Sequence, residues 1–73
     1  MATPLEMQEL DKRFTYHPPK GDQQDRYVFL REQVKALAFN FVDKCPDSRE
    51  RALALTKLEE AMMWANAAIA RNE

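Results

Sequence analysis

Apolar residues fall three and four apart along most of the chain. Tyr27, Leu30, Val34, Leu37 (or Ala38) and Phe41 form one such series, the stripe of an amphipathic helix. Phe29, Ala36 and Phe39 lie off it, so this helix carries more apolar surface than one partner helix would cover. Farther on, Leu55, Leu58, Met62, Ala65 and Ile69 make a second stripe, with Ala54, Ala61, Trp64 and Ala68 making another beside it. An apolar arc this wide and rich in Ala lets helix backbones approach closely, and it predicts two partners: the preceding helix of the same chain and a helix of another subunit.

Local signals divide the pattern into three helices. Thr3-Pro4-Leu5-Glu6 announces the first: Thr3 caps, Pro4 takes the first helical position where its missing N–H costs nothing, and Glu6 completes a capping box. This predicts a short helix over 4–13 with Leu5 and Leu10 on its buried side. Tyr16-His17 precede Pro18-Pro19, and Gly21 follows, so residues 14–22 form a connection. Asp22 is the expected N-cap of a helix over 22–44, with Asp25 favourably charged in its first turn. Pro46 ends that helix, and Asp47 with Glu50 gives a capping-box-like start to a helix over 48–71, about 36 Å long. No repeat or long linker divides the chain. The expected architecture is all-α: residues 1–73 as one domain, with a short N-terminal helix plus an antiparallel helical hairpin, assembled as a homo-oligomer.

Length strengthens the case for assembly. A chain of 73 residues buries only about 60% of the surface its unfolded form exposes, so its own core is marginal. Cys45 is the only cysteine and His17 the only histidine, which removes an internal disulfide and a structural zinc site within one chain. Self-association is the remaining supplement. The net charge is −1, with 11 Lys and Arg against 12 Asp and Glu. That balance disfavours long nucleic acid, whose phosphate backbone calls for a basic surplus, while leaving room for a small anion in one pocket. Residues 1–6 have neither the basic nor the apolar region of a signal peptide, and no apolar run approaches a membrane span. With the lone thiol these features place the protein in cytoplasm.

Enzymatic signatures are missing: one Gly cannot build a phosphate-cradling loop, no metal-ligand pair shares a helix face, and Glu59 and Glu60 point in different directions. No catalytic residue, metal or cofactor is expected. A Cys45–His17 pair would require tertiary proximity, and Cys45 reads as a partly buried thiol at a helix end. Binding chemistry is better represented. Phe14 and Tyr16 offer faces on which a base could stack, and Arg26, Arg31 and Lys35 follow on the next helix, with Arg31 and Lys35 one turn apart. These cations could instead pair with Glu32, Asp25 or Glu50 on a solvated face. Thr56, Asn66 and Arg71 interrupt the Ala-rich helix; Asn66 and Arg71 either reach a ligand shared between subunits or cap the helix end. Trp64 reads as an interface anchor.

Taken in order, Phe14-Thr15-Tyr16-His17-Pro18-Pro19, Arg26-Tyr27, Lys35-Ala36-Leu37-Ala38, Leu55-Thr56-Lys57-Leu58-Glu59 and Met63 through Arg71 resemble the small phage anti-CBASS sponges, whose hairpin recurs in the Thoeris anti-defence sponges. The resemblance implies sequestration without catalysis. Members are homohexamers of helical hairpins that hold cyclic dinucleotides, and in several cases cyclic trinucleotides at separate sites, in the cytoplasm of the infected host. It implies that Tyr16 stacks on a base and Lys35 holds a phosphate. Arg26 and Arg31 would be phosphate partners, and Thr56, Asn66 and Arg71 would belong to a second site. Pro18-Pro19-Lys20-Gly21 is an insertion relative to shorter members. The alternative reading is a structural or protein-binding module whose apolar arc receives a foreign helix.

Overall fold

The computed structural model describes residues 1–73 and contains three helices and no strand: α1 (Pro4–Phe14), α2 (Gln23–Lys44) and α3 (Arg49–Asn72). All three sit within a residue of the expected limits. α1 opens on the anticipated capping box, with Thr3 Oγ1 accepting from the Glu6 N–H at 3.1 Å while the Glu6 carboxylate accepts from the Thr3 N–H at 3.4 Å. Thr15 turns the backbone extended, and the proline pair keeps it out of helix. Gly21, at φ +57°, supplies the left-handed residue that redirects the chain into α2, a conformation costly for any side chain with a Cβ.

Two caps differ from expectation. Asp22 occupies the N-cap position of α2 but its side chain makes no capping bond, because its carboxylate turns instead to Arg26, 3.2 Å away and one turn on. At α3 the cap is Ser48, whose hydroxyl accepts from the Arg51 N–H at 3.1 Å. Asp47, expected in that role, pairs with the Arg51 guanidinium at 3.1 Å. Pro46 does end α2 as anticipated, the Cys45 N–H closing the last turn on the Phe41 carbonyl at 2.9 Å.

α2 and α3 lie antiparallel, joined by the short turn around Pro46. Their seam is the predicted pair of stripes: Tyr27, Leu30, Val34, Ala38 and Phe41 face Leu55, Leu58, Met62, Ala65 and Ile69, all half-buried. Ala38, not Leu37, takes the ambiguous position, since Leu37 is exposed. α1 departs from its expected packing: Leu5 and Leu10 are 70% and 46% exposed, because the extended Thr15–Lys20 connection carries the helix off the hairpin rather than back across it.

The result is one helix layer thick, 49 × 33 × 13 Å, with a radius of gyration of 16.2 Å against about 11 Å for a compact chain of this length. No apolar side chain is buried, and Phe29, Phe39 and Trp64 stand more than half exposed. Gln23 alone is buried. No helix is long and apolar enough to cross a membrane.

Candidate functional site

The open end of the hairpin, where α2 begins and α3 ends, collects the polar chemistry. His17 sets the geometry there: its Nε2–H donates to the Lys12 carbonyl at 2.8 Å, satisfying an otherwise orphaned group at the end of α1. Thr15 steadies the same turn by donating to Asp11 at 3.2 Å. The end of α1 is thereby held beside the ends of the two long helices.

Between them lies an open cleft of about 430 Å³, walled by Arg13, Thr15 and His17 from the α1 end, Gln24, Tyr27 and Arg31 from α2, and Asn66, Ala67, Ala70 and Arg71 from α3. Its volume is within the range of small-molecule sites. Three guanidiniums line it with no carboxylate among its walls, and none of Arg13, Arg31 and Arg71 enters an ion pair within the chain. On a protein of net charge −1 this is a local concentration of positive charge carried by the side chains, since the partial positive charge at the N-terminus of α2 is opposed by those at the C-termini of α1 and α3. Two of the three cations rest on aromatic rings: Arg13 lies over Phe14 at 5.5 Å and Arg71 over Trp64 at 6.0 Å. Such contacts orient a guanidinium without neutralising it. Asn66 completes the wall with a side-chain oxygen that is buried and has no hydrogen-bond partner, a costly arrangement unless an incoming donor satisfies it.

Of the residues singled out from sequence, Arg31, Asn66 and Arg71 meet in this cleft. Neither Asn66 nor Arg71 bonds a terminal carbonyl of α3; the side chain of Asn72 does, donating to the Ala68 carbonyl at 2.9 Å, and Glu73 is the C-cap. Lys35 lines a separate apolar groove with Val34, Ala38, Leu55, Leu58, Glu59 and Met62. Phe14, Tyr16 and Thr56 are exposed, and within one chain none of them shares a cavity with Lys35. Arg26 is engaged elsewhere, by Asp22 and by Glu73. Cys45 is exposed at the turn, at the opposite end of α2 from His17, rather than partly buried. Sequence reading missed Arg13 and Gln24 as cleft residues, because only the three-dimensional meeting of three helix ends brings them together. Tyr27, read as a seam residue, ends the seam and faces the cleft as well.

The Arg26–Glu73 pair carries the one strongly perturbed pair of charges. Hydrogen bonds from Arg26 and then Gln23, with the nearby Arg26 and Lys20 charges, hold the Glu73 carboxyl down to about 2 against an opposing cost of desolvation. Arg26 is correspondingly raised above its ordinary value, chiefly by its hydrogen bond to Glu73. Gln23, Arg26 and Glu73 together tie the first turn of α2 to the end of α3.

Architecture and site define a small helical-hairpin protein with an arginine-lined cleft at its open end. The family model described as "Acb2/Tad1, hairpin domain" matches residues 7–70, nearly the whole hairpin and most of α1. The chain belongs to that family, the hairpin of the anti-CBASS and anti-Thoeris sponges. Neither the curated proteins nor the solved structures give a match.

Proposed function

We propose that the protein is a phage anti-defence sponge: it binds cyclic dinucleotides, and cyclic trinucleotides at a separate site, holds them intact, and so keeps host CBASS effectors in the bacterial cytoplasm from being activated. The observation that carries this reading is the convergence of Arg13, Arg31 and Arg71 on one cleft free of carboxylates. Adjacent unpaired cations repel one another, and an anionic ligand removes that cost. Cyclic oligonucleotides suit the site on a second count, since their bases and ribose hydroxyls carry donors for the unpartnered Asn66 oxygen.

Family membership supports ligand binding, and the shape of the chain supports assembly. A single layer with no buried apolar side chain gains most of its core from other copies, and we assign a homohexamer. Tyr16 and Lys35 then form a dinucleotide pocket across a subunit boundary, the ring stacking on a base and the ammonium meeting a phosphate; this explains why one chain keeps them apart. The cleft of Arg31, Asn66 and Arg71, with Thr56 contributed by a neighbouring copy, is the second site.

Titration of the purified protein with a cyclic dinucleotide tests the reading. Sub-micromolar binding is expected, with Tyr16→Ala and Lys35→Ala each weakening it while leaving helix content unchanged. Normal binding by both variants contradicts the assigned dinucleotide pocket. The exposed Phe29, Phe39 and Trp64 favour a second reading, a module that receives a foreign helix. A monomer that assembles only with another polypeptide would establish that alternative.

A further inference from the structure

On the other side of the hairpin's open end, Arg26 presents both terminal nitrogens to Glu73, Nη1 donating to Oε2 at 2.8 Å and Nη2 to Oε1, while Nη2 also keeps its one-turn ion pair with the exposed Asp22 carboxylate at 3.2 Å. Gln23 Nε2 adds a third donor to Oε1 at 3.3 Å. The Gln23 side chain is only 4% exposed, and its own oxygen accepts from the Lys20 N–H at 3.1 Å. The buried amide is thereby fixed with its NH2 directed at the carboxylate. Gln23 and Arg26 stand in the first turn of α2, whose partial charge favours an anion, beside the C-terminus of α3, whose partial charge opposes one.

Three further observations set this carboxylate apart from an ordinary surface ion pair. Arg26 Nε is buried with no acceptor, so the carboxylate held end-on by Nη1 and Nη2 leaves one donor of the guanidinium unsatisfied. A cavity of about 220 Å³ walled by His17, Pro18, Pro19, Lys20, Gln23, Ala70 and Glu73 itself, with Arg26 outside its lining, shares His17 and Ala70 with the arginine cleft. Glu73 itself follows the last helical residue, Asn72, and lies outside the stretch matched to the family, 7–70.

We propose that Lys20, Gln23 and Arg26 build an anion seat for a phosphate mono- or diester, and that the Glu73 carboxylate occupies it as an internal, displaceable stand-in. Ligand entering from the cleft side exchanges one anion for another: the phosphate takes the Arg26 fork and the Gln23 amide, and Glu73 swings into solvent still ionised. Glu73 therefore raises the threshold for anion capture and closes the open end when no ligand is present. The identity of the ligand as a cyclic oligonucleotide rests on the sponge reading, whereas the seat and its occupant do not.

Calorimetric titration with inorganic pyrophosphate separates the two. Full-length wild type, Glu73→Gln and the double variant Glu73→Gln with Arg26→Gln are compared at one salt concentration. Removing the resident charge is expected to tighten pyrophosphate binding about tenfold, the scale of one charge contact at a protein surface, and the double variant is expected to lose that gain. Equal binding by wild type and Glu73→Gln, or a gain that survives loss of Arg26, overturns the proposal. Carbon NMR of the Glu73 carboxyl in wild type supplies a check independent of the variants: at pyrophosphate saturation its titration should move from about 2 toward the ordinary 4.5. A carboxyl that does not move rejects displacement. A parallel titration with cyclic di-AMP reports on the sponge reading alone, since its failure beside a pyrophosphate gain leaves the seat standing.

Discussion

Arg51, in the first turn of α3, donates from Nη1 to the carbonyls of Cys45 at 3.1 Å and Val42 at 3.2 Å, so a side chain that begins one helix satisfies the last carbonyls of the other. Helix ends leave such carbonyls without intrahelical partners, and Asp47 holds the other terminal nitrogen in place at 3.1 Å. Removal of this guanidinium should loosen the turn on which the antiparallel arrangement depends.

Arg51→Ala is accordingly expected to cost about 1.5–3 kcal/mol, the range for hydrogen bonds involving a charged group. Arg51→Lys should recover only part of that, because a point charge cannot span both carbonyls and Asp47. Thermal melts by circular dichroism, at one fixed protein concentration because the proposed self-association would shift the midpoint, measure both.

The cleft makes a different demand. Arg31→Ala and Arg71→Ala should each weaken cyclic oligonucleotide binding by about tenfold with little change in melting temperature, since neither side chain forms an ion pair within the chain. Arg71 lies over Trp64, so ligand that engages Arg71 should also change the tryptophan fluorescence, and this signal should vanish in Arg71→Ala. Calorimetry and fluorescence read the two effects separately.

Much of the fold was legible in the sequence because its determinants are local. Thr3 with Glu6, the Pro18-Pro19 pair and Pro46 each act within a few residues, and helix limits followed from them to within a residue. The α2–α3 seam was legible for the same reason, as a repeat of apolar residues. Leu5 and Leu10 misled because whether an amphipathic helix folds back depends on the direction of the segment after it, and residues 15–20 lead α1 away. The choice of Ser48 over Asp47 as cap turned on Arg51, which attracts the aspartate. Arg31, Asn66 and Arg71 were named as candidates, yet their meeting with Arg13 and His17 depends on three helix ends converging. The grip of Arg26 on Glu73, 47 residues away, has no sequence signal at all.

Acid should undo that grip in a defined window. The folded chain holds the Glu73 carboxyl at about 2, below the ordinary 4.5, mainly through the Arg26 hydrogen bond. The unfolded state then takes up the proton first, so the stabilisation is complete above about pH 4.5, declines below it and is gone once pH falls through about 2. Amide exchange at Gln23–Arg26 and Ala70–Asn72, followed from pH 5 to 2 and referenced to the intrinsic exchange rate at each pH, should show the hairpin's open end loosening in that interval. Glu73→Gln should abolish this pH dependence.

In the proposed homo-oligomer the outer faces of the hairpin should form the contacts between copies. Phe29 and Phe39 on α2 and Trp64 on α3 are each more than 60% exposed while no apolar side chain of the chain is buried, so these rings are the large apolar groups a neighbouring copy would cover. Phe29→Glu or Trp64→Glu is expected to lower the mass seen by light scattering toward that of a single chain, with reduced helix content, while Glu9→Gln on the exposed α1 should leave the mass unchanged. An unaltered mass in both apolar variants would remove these faces from the interface.

Sequestration without cleavage is tested most directly by native mass spectrometry of the purified protein incubated with a cyclic dinucleotide, followed by denaturation and mass analysis of what is released. A closed oligomer carrying ligand, from which the cyclic dinucleotide is recovered at its original mass, is the predicted result. Recovery of a linear or hydrolysed product, or an oligomer that carries no ligand at concentrations well above micromolar, would contradict it.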